Sequence, residues 1–435
     1  MPRHPAWILP LLVAAGCGAP VSSADRLPVS QDKRLEQVPD EVIVKYRAPE
    51  GMRAEATMFP EDIAPTRKYD LLPETTQLDA TSFDSRNDTV LVKTSRGEAA
   101  RVAAAYAARP EVEWAIPNAR IQAPVPVMPG QQPGTGIRST IRSNDPLVAQ
   151  QWYLDRINAQ AAWATSTGTG VTVAVLDTGI DGGHPDLSGA VEKGGDFISK
   201  SDDTADKHGH GTHVAGIVGA RKDNGVGIVG VAPGCNLLAV RVLGESGGSG
   251  VFSVARGIKA AADYAKRTKK RVVINLSLGS RMPVDPVDFM AGWYATRQGA
   301  LLVAAAGNEG GPVGVPAKHR YFMAIGATDT RDARASFSNF GSQLALSAPG
   351  VDIVSTTPTY PVTMTQRGVA QNFAALQGTS MATPIVSGVA ALVWSKHPDW
   401  SPAQVRDALT KGAKNLGDRN QFGAGLVDAA AAVAP

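Results

Sequence analysis

Three short segments carry an aspartate, a histidine and a serine, each beside glycine: Val173-Ala-Val-Leu-Asp-Thr-Gly179, His208-Gly-His-Gly-Thr-His-Val-Ala-Gly216 and Gly378-Thr-Ser-Met-Ala-Thr-Pro384. A serine hydroxyl is a weak nucleophile at neutral pH and needs a base within hydrogen-bond reach. His210 is the candidate base, because a neutral imidazole takes the proton and returns it to a leaving amine. Asp177 is the candidate partner that fixes the imidazole tautomer and stabilises the imidazolium. Ser380 opens a run of small and apolar residues ending at Trp394. Its backbone N–H therefore falls in a first helical turn and is free to bind an oxyanion. Gly378 lets backbone and substrate approach closely. Taken singly, each residue has a plainer reading, since aspartates after strands form turns and serines before helices cap them. The order Asp, His, Ser with its flanks intact points instead to nucleophilic catalysis. His208, His210 and His213 lack the HExxH spacing and are surrounded by glycine rather than carboxylates, which argues against zinc.

The elements that must position these groups follow from periodicity. Val171–Leu176, Leu237–Val242, Val272–Leu276 and Leu301–Ala305 read as strands apolar on both faces, with helical runs at Phe252 to Lys266 and Asp285 to Gln298. That alternation predicts a parallel sheet covered on both sides. Ligands of such sheets bind beyond the carboxyl ends of the strands. Asp177, Ser277 to Gly279 and Gly307-Asn308 each fall at such an end.

From about Asn144 to the C-terminus, these motifs resemble the subtilisin-like serine peptidases, the subtilases. The resemblance implies an α/β fold: a three-layer, parallel-sheet catalytic domain over 144–435, preceded by a small α+β propeptide. It implies a serine endopeptidase with catalytic Asp177, His210 and Ser380. Asn308, in Ala304-Ala-Ala-Gly-Asn-Glu309, matches the side-chain oxyanion donor. Ser277, Leu278 and Gly279 match the strand lining the primary pocket, and Gly248, Ser249 and Gly250 match the strand on the other side of the peptide. By composition alone, Gly247 to Gly250 is a mobile turn. The far wall of the pocket would be Ala305, Ala306 and Gly307, with its floor near Gly314. Small residues leave a slot for a large apolar or aromatic side chain, and Glu309 at the mouth would tolerate a basic one. Lys222 to Ile228 resembles the family's calcium loop. Asn224 would offer a side-chain oxygen and Val226 and Ile228 carbonyls, with Asp145 and Asp186 completing the set. Such hard oxygen ligands suit calcium, and an ordinary surface turn is the alternative. The chain departs from the family at Ile385, where histidine commonly follows the Thr-Pro. Altered packing with intact chemistry is the expectation.

Ahead of this region, Val42–Tyr46 and Val90–Thr94 read as strands, Gly97 to Arg109 as a helix and Val112–Ile116 as a strand. That set predicts an α+β unit over 39–124, similar to the subtilase propeptide, with a generic module as the alternative. Ala123 to Gly136 is rich in Pro, Gly and Gln, so 125–143 is read as a linker open to proteolysis. At the N-terminus, Arg3 and His4 precede an apolar stretch from Ala6 to Ala15. This is the pattern of a secretory signal over 1–24, too short to span a membrane. Val13-Ala-Ala-Gly-Cys17 also resembles a lipoprotein box, so a lipid on Cys17 is the one route to a membrane.

The 435 residues carry 43 Lys plus Arg against 40 Asp plus Glu, so no net field draws the chain to nucleic acid. If Cys17 is removed or lipidated, Cys235 has no partner within the chain for a disulfide. The expected protein is secreted or held at the cell envelope, acts on protein or peptide substrates and is inhibited by its own propeptide. Broad digestion, selective processing of envelope proteins and a silent peptide-binding relative all remain open. A phosphate loop at Gly247 to Gly250 is disfavoured, because no Walker lysine follows.

Overall fold

The computed structural model describes residues 37–47, 69–84, 87–123, 138–281 and 286–434. The expected signal, Cys17, residues 124–137 and Asp285 lie outside them. Strands are numbered along the chain: β1 Gln37–Tyr46, β2 Thr76–Asp84, β3 Asn87–Lys93, β4 Val112–Gln122, β5 Val171–Asp177, β6 Val191–Asp196 and β7 Asn236–Arg241. They continue with β8 Gly248–Gly250, β9 Arg271–Leu276, β10 Leu301–Ala305, β11 Phe322–Thr328, β12 Leu344–Pro349, β13 Ile353–Thr357 and β14 Asn372–Leu376.

The C-terminal unit is built on a seven-stranded sheet of order β12-β11-β10-β9-β5-β7-β6, parallel throughout. β5 is buried along its whole length. Such strands read as unbroken apolar runs because helices cover both faces. The helices His210–Gly219 and Thr379–Lys396 pack on one face, with Val173, Val175, Leu237 and Val303 among the residues they cover. Val251–Thr268 and Pro286–Arg297 cover the other face, against Ala174, Leu176, Leu238 and Ile274. Alternate residues of one strand thus feed two cores, giving three layers. The chain continues from β5 to β6 and β7 on one side and to β9 on the other, and the carboxyl end of that divide is where such sheets bind ligands.

The N-terminal unit is an antiparallel sheet, β2-β3-β1-β4, with the helix Ala99–Ala107 on one face. Val42, Val44 and Tyr46 pack under that helix with Val102 and Tyr106. Ile43, Phe83, Leu91, Ala119 and Ile121 point the other way and join the core formed by Leu176, Leu243 and Val251. The sheet therefore has no water-facing side: one face holds its own helix and the other is laid on the C-terminal unit. β4 then extends this sheet into β8, giving the order β2-β3-β1-β4-β8. Residues 138–143 are pinned to the C-terminal unit: the Ser139 N–H donates to the Ala149 carbonyl at 3.0 Å, and the Arg142 N–H to Gln160 Oε1 at 3.0 Å.

Candidate active site

Asp177 ends β5 and faces His210, the first residue of the His210–Gly219 helix. His210 Nδ1 lies 2.8 Å from Oδ1 and 2.9 Å from Oδ2 of Asp177, and both side chains are fully buried. Burial alone would lower the imidazole's affinity for a proton. The charge and hydrogen bond of Asp177 outweigh it, so His210 titrates above its ordinary value. A carboxylate that takes Nδ1–H leaves Nε2 as the basic nitrogen, and Nε2 is buried with no partner among the described residues. The turn after Asp177 is locked to the helix. The Gly211 N–H donates to Thr178 Oγ1 at 3.0 Å, and Thr178 Oγ1 donates to Asp206 Oδ1 at 2.8 Å. Asp206 also takes the N–H groups of His208, Gly209 and Thr212. A Cβ on Gly211 would lie 2.1 Å from the Gly179 carbonyl oxygen, so only glycine lets the helix start this close to Asp177.

Ser380 is the second residue of the Thr379–Lys396 helix, where a backbone N–H has no intrahelical acceptor. Pro384, four residues on, has no N–H, so the Ser380 carbonyl loses its helical donor. The Ser277 hydroxyl replaces that donor at 2.8 Å. In return, Ser380 Oγ donates to the Ser277 carbonyl at 3.2 Å. Among the described residues no hydrogen bond links Ser380 Oγ to His210 Nε2, and such contacts commonly tighten only with substrate in place. Asn308 lies just past β10. Its Oδ1 accepts the N–H and the hydroxyl of Thr379, each at 2.8 Å. That pair of donors fixes which way the amide faces. Its Nδ2 is thereby aimed at the serine turn, buried and unpartnered, 3.0 Å from where a Gly378 Cβ would stand.

The two expected substrate strands flank an occupied channel. The end of β4 pairs antiparallel with β8: Arg120 with Gly250, Ile121 with Ser249 and Gln122 with Gly248. On its other side, Gln122 exchanges both backbone hydrogen bonds with Gly279, at 3.2 and 3.0 Å, and the Ala123 N–H donates to the Gly247 carbonyl at 2.8 Å. Ser380 is 1% exposed. Leu278, Ala305 and Ala306 are buried, and Gly307 takes a left-handed φ of 109°. A Cβ on Gly314 would meet the Ser280 carbonyl oxygen at 2.7 Å, so this end of the pocket is closed by backbone. Glu309 is already engaged, accepting from Asn339 Nδ2 at 2.6 Å with Arg281 3.9 Å away.

The loop Lys222 to Ile228 gathers the expected oxygen donors. Asp145 accepts the N–H groups of Asp223, Asn224 and Gly225. Asp186 accepts from Asn224 Nδ2 at 2.9 Å and from the Ile228 N–H at 2.9 Å, and Asn224 Oδ1 accepts the Val226 N–H at 2.7 Å. Burial raises the Asp186 carboxyl to about 6, helped by the Asp145 charge. A buried anion beside a second anion fits a hard cation. No group of three or more His, Cys, Asp or Glu converges among the described residues, so backbone and amide oxygens would have to supply the remaining ligands. Cys235 is buried, its thiol pushed up to about 12, and is chemically inert. Ile385 is fully buried in the core beside Val386 and Val389, and the site is assembled without a histidine there.

Sequence reading missed three supports. The run of β4 to Gln122 is signalled by alternation, with Ala119, Ile121 and Ala123 buried and Arg120 and Gln122 exposed. The brace made by Asn339, which accepts the N–H groups of Glu309 and Gly311, has no local signal. Asp206 as the anchor of the histidine turn likewise shows only in three dimensions.

A carboxylate-held imidazole, a serine at a helix start and an aimed amide at the carboxyl end of a parallel sheet define a hydrolase of the acyl-transfer class. A sequence model described as Subtilase family (Peptidase_S8) matches residues 168–425. The chain is 46% identical over 283 residues to M-protease of Shouchella clausii (strain KSM-K16), covering 65% of this chain and 69% of that protein. It is 45% identical over 283 residues to Subtilisin Savinase of Lederbergia lenta, covering 65% of this chain and 97% of that protein. Against Subtilisin E of Bacillus subtilis (strain 168) it is 43% identical over 273 residues, covering 61% of this chain and 66% of that protein. The chain belongs to the subtilase family and is a serine endopeptidase.

Proposed function

We propose that this endopeptidase cuts peptide bonds through Ser380, with His210 as base and then acid and Asp177 as the group that orients and stabilises the imidazole. The observation that carries the reading is a pair of buried atoms without a partner among the described residues: His210 Nε2, on the imidazole held by Asp177, and Asn308 Nδ2, aimed at the serine turn. A catalytic role is one recognised reason for a buried polar atom to lack a partner. Ser380 Oγ attacks the scissile carbonyl as its proton passes to Nε2. The developing oxyanion takes the Ser380 N–H and Asn308 Nδ2, and His210 then returns the proton to the leaving amine. Water repeats the cycle on the acyl-enzyme. Ser277 to Gly279 and Gly248 to Gly250 hold an extended substrate by strand addition, and the slot between Leu278 and Ala305 to Gly307 takes a large apolar side chain. A basic side chain there is disfavoured, because Glu309 is bound by Asn339 and Arg281.

The chain is made as a zymogen. Residues 39–124 fill the substrate path with β4 and are released by cleavage beyond it, within 125–143. Export through residues 1–24 carries the protein out of the cytoplasm; among the described residues no helix is long and apolar enough to cross a membrane. Calcium would be held by Asp145, Asp186, Asn224 and the carbonyls of Val226 and Ile228. It would neutralise the two carboxylates and tie the loop to residues 144–147. Fluorophosphonate labelling of the parent and of Ser380→Ala tests the nucleophile. The parent labels and the variant does not, and the variant accumulates uncleaved chain. Equal labelling of the two would overturn the assignment.

A further inference from the structure

Where the N-terminal unit meets the catalytic unit the contact is mostly apolar, and among the described residues one ionic cluster stands inside it. The register of β2 against β3 shifts between Gln77 and Asp79. Such a bulge re-aims side chains and frees backbone groups from the ladder. Here the freed Leu78 carbonyl accepts Lys200 Nζ at 2.7 Å. The Asp79 carboxylate meets the Arg256 guanidinium and lies 3.5 Å from Lys200 Nζ. Both cations belong to the catalytic unit. Arg256, on the Val251–Thr268 helix, lies over the Phe197 ring at 5.2 Å from its centroid. Lys200, in the turn after β6, has a left-handed φ of 55°, a conformation disfavoured for a side-chain-bearing residue. The side chains of Asp79 and Arg256 are only 17% and 25% exposed, so water screens the pair in part.

We propose that Arg256 and Lys200 form a carboxylate-binding site outside the substrate cleft, filled by Asp79 in the uncleaved chain, that sets how firmly the N-terminal unit covers the cleft. The proposal rests on the reading of β4 as the occupant of the substrate path. β2 and β4 are the two edges of the four-stranded N-terminal sheet. One edge is tied by backbone hydrogen bonds in the cleft and the other by this ion cluster. Apolar contact supplies affinity without direction, whereas the charges fix how the unit is seated. Once the unit leaves, the same two cations face solvent and suit an acidic side chain of another docked polypeptide.

The test is the rate at which a fluorophosphonate labels Ser380 in the uncleaved band of the full chain, resolved by size. The parent should label slowly at low salt and faster from about 0.02 M to about 0.5 M salt, as the screening length falls from about 20 Å to about 4 Å. Asp79→Asn and Arg256→Gln should each raise the low-salt rate about tenfold and flatten the salt response. The double variant should match Asp79→Asn, because once the shared carboxylate is gone the loss of Arg256 adds nothing. Single effects that multiply, or variants that label as slowly as the parent, would overturn the latch. A parent chain that labels as fast uncleaved as cleaved would instead overturn the occupied cleft, and the latch with it.

Discussion

Replacing Asn308 separates transition-state stabilisation from folding. Its two ends do different work. Oδ1 receives the Thr379 N–H and hydroxyl, while Nδ2 is buried with no partner among the described residues. Asn308→Ala removes both functions, and Asn308→Asp keeps the acceptor for Thr379 and removes the donor. The Ser380 N–H remains in each case, so one of the two proposed oxyanion donors is lost. Removing one such donor costs about 2.7–4 kcal/mol, or roughly 10²–10³-fold in kcat. Little of this should appear in KM, because the ground-state carbonyl oxygen has not yet moved into reach of Nδ2. Losing the acceptor at the helix start costs about 1 kcal/mol of stability. The expected pattern is therefore a kcat fall in both variants and a lowered Tm chiefly in Asn308→Ala. Steady-state hydrolysis of a chromogenic peptide by the processed enzyme, with thermal unfolding in parallel, reads both. A kcat within tenfold of the parent in both variants would refute the assignment of Nδ2. A loss confined to KM would show that the amide binds substrate rather than the transition state.

Three further outcomes follow from the same geometry. Asp177→Asn removes the anion that raises His210, so the acid limb of kcat/KM should move to lower pH while kcat falls on the order of 10⁴-fold; a limb that stays in place would mean another group titrates there. Burial lowers His213 to about 3 and, with the His210 charge, lowers His208 to about 4. Both protonate nearer 6.5 once unfolded, so their contribution to stability should be full above about 6.5 and decline as pH falls toward 4; urea unfolding against pH should show a shallower decline in His213→Gln, and an unchanged slope would exclude it. A chelator should lower Tm, and added calcium should raise Tm more at about pH 8 than at about pH 5, because Asp186 takes up a proton below about 6 and gives up the charge that attracts the ion. Equal Tm with and without chelator would remove the calcium site.

What the sequence revealed was the part built from local pattern. The four central strands are legible because both-face burial writes unbroken runs of Val, Ile, Leu and Ala. β6, Val191-Glu-Lys-Gly-Gly-Asp196, escaped because an edge strand with two glycines carries no alternation and has Val191 as its one β-branched residue. β2 escaped for a related reason: it is the polar edge of its sheet, and its bulge breaks the period of two. The three segments holding Asp177, His210 and Ser380 could be found because each is fixed by its own strand end or helix start. Nothing local announces Asp206 and Ser277 as supports of these segments, or Asn339 as the brace of the loop after Asn308, because each acts on a group that tertiary structure brings to it.

The pairing of β4 also explains why the cleft walls are so poor in side chains. β8 has three residues, two of them glycine, and Gly279 stands opposite, so what these walls present is backbone N–H and C=O. Such groups are costly to bury unpaired, and an open strand edge invites any extended chain. Arg120 to Ala123 meet them along β8, Gly247 and Gly279. On the proposed zymogen reading, β4 and a substrate would compete for the same hydrogen bonds rather than for separate sites. Side-chain discrimination is left to the pocket beyond Leu278 and to the contacts that seat the N-terminal unit from outside. If these strands hold the substrate as proposed, affinity there would be largely sequence-tolerant, and restraint before cleavage would come from how firmly β4 is held.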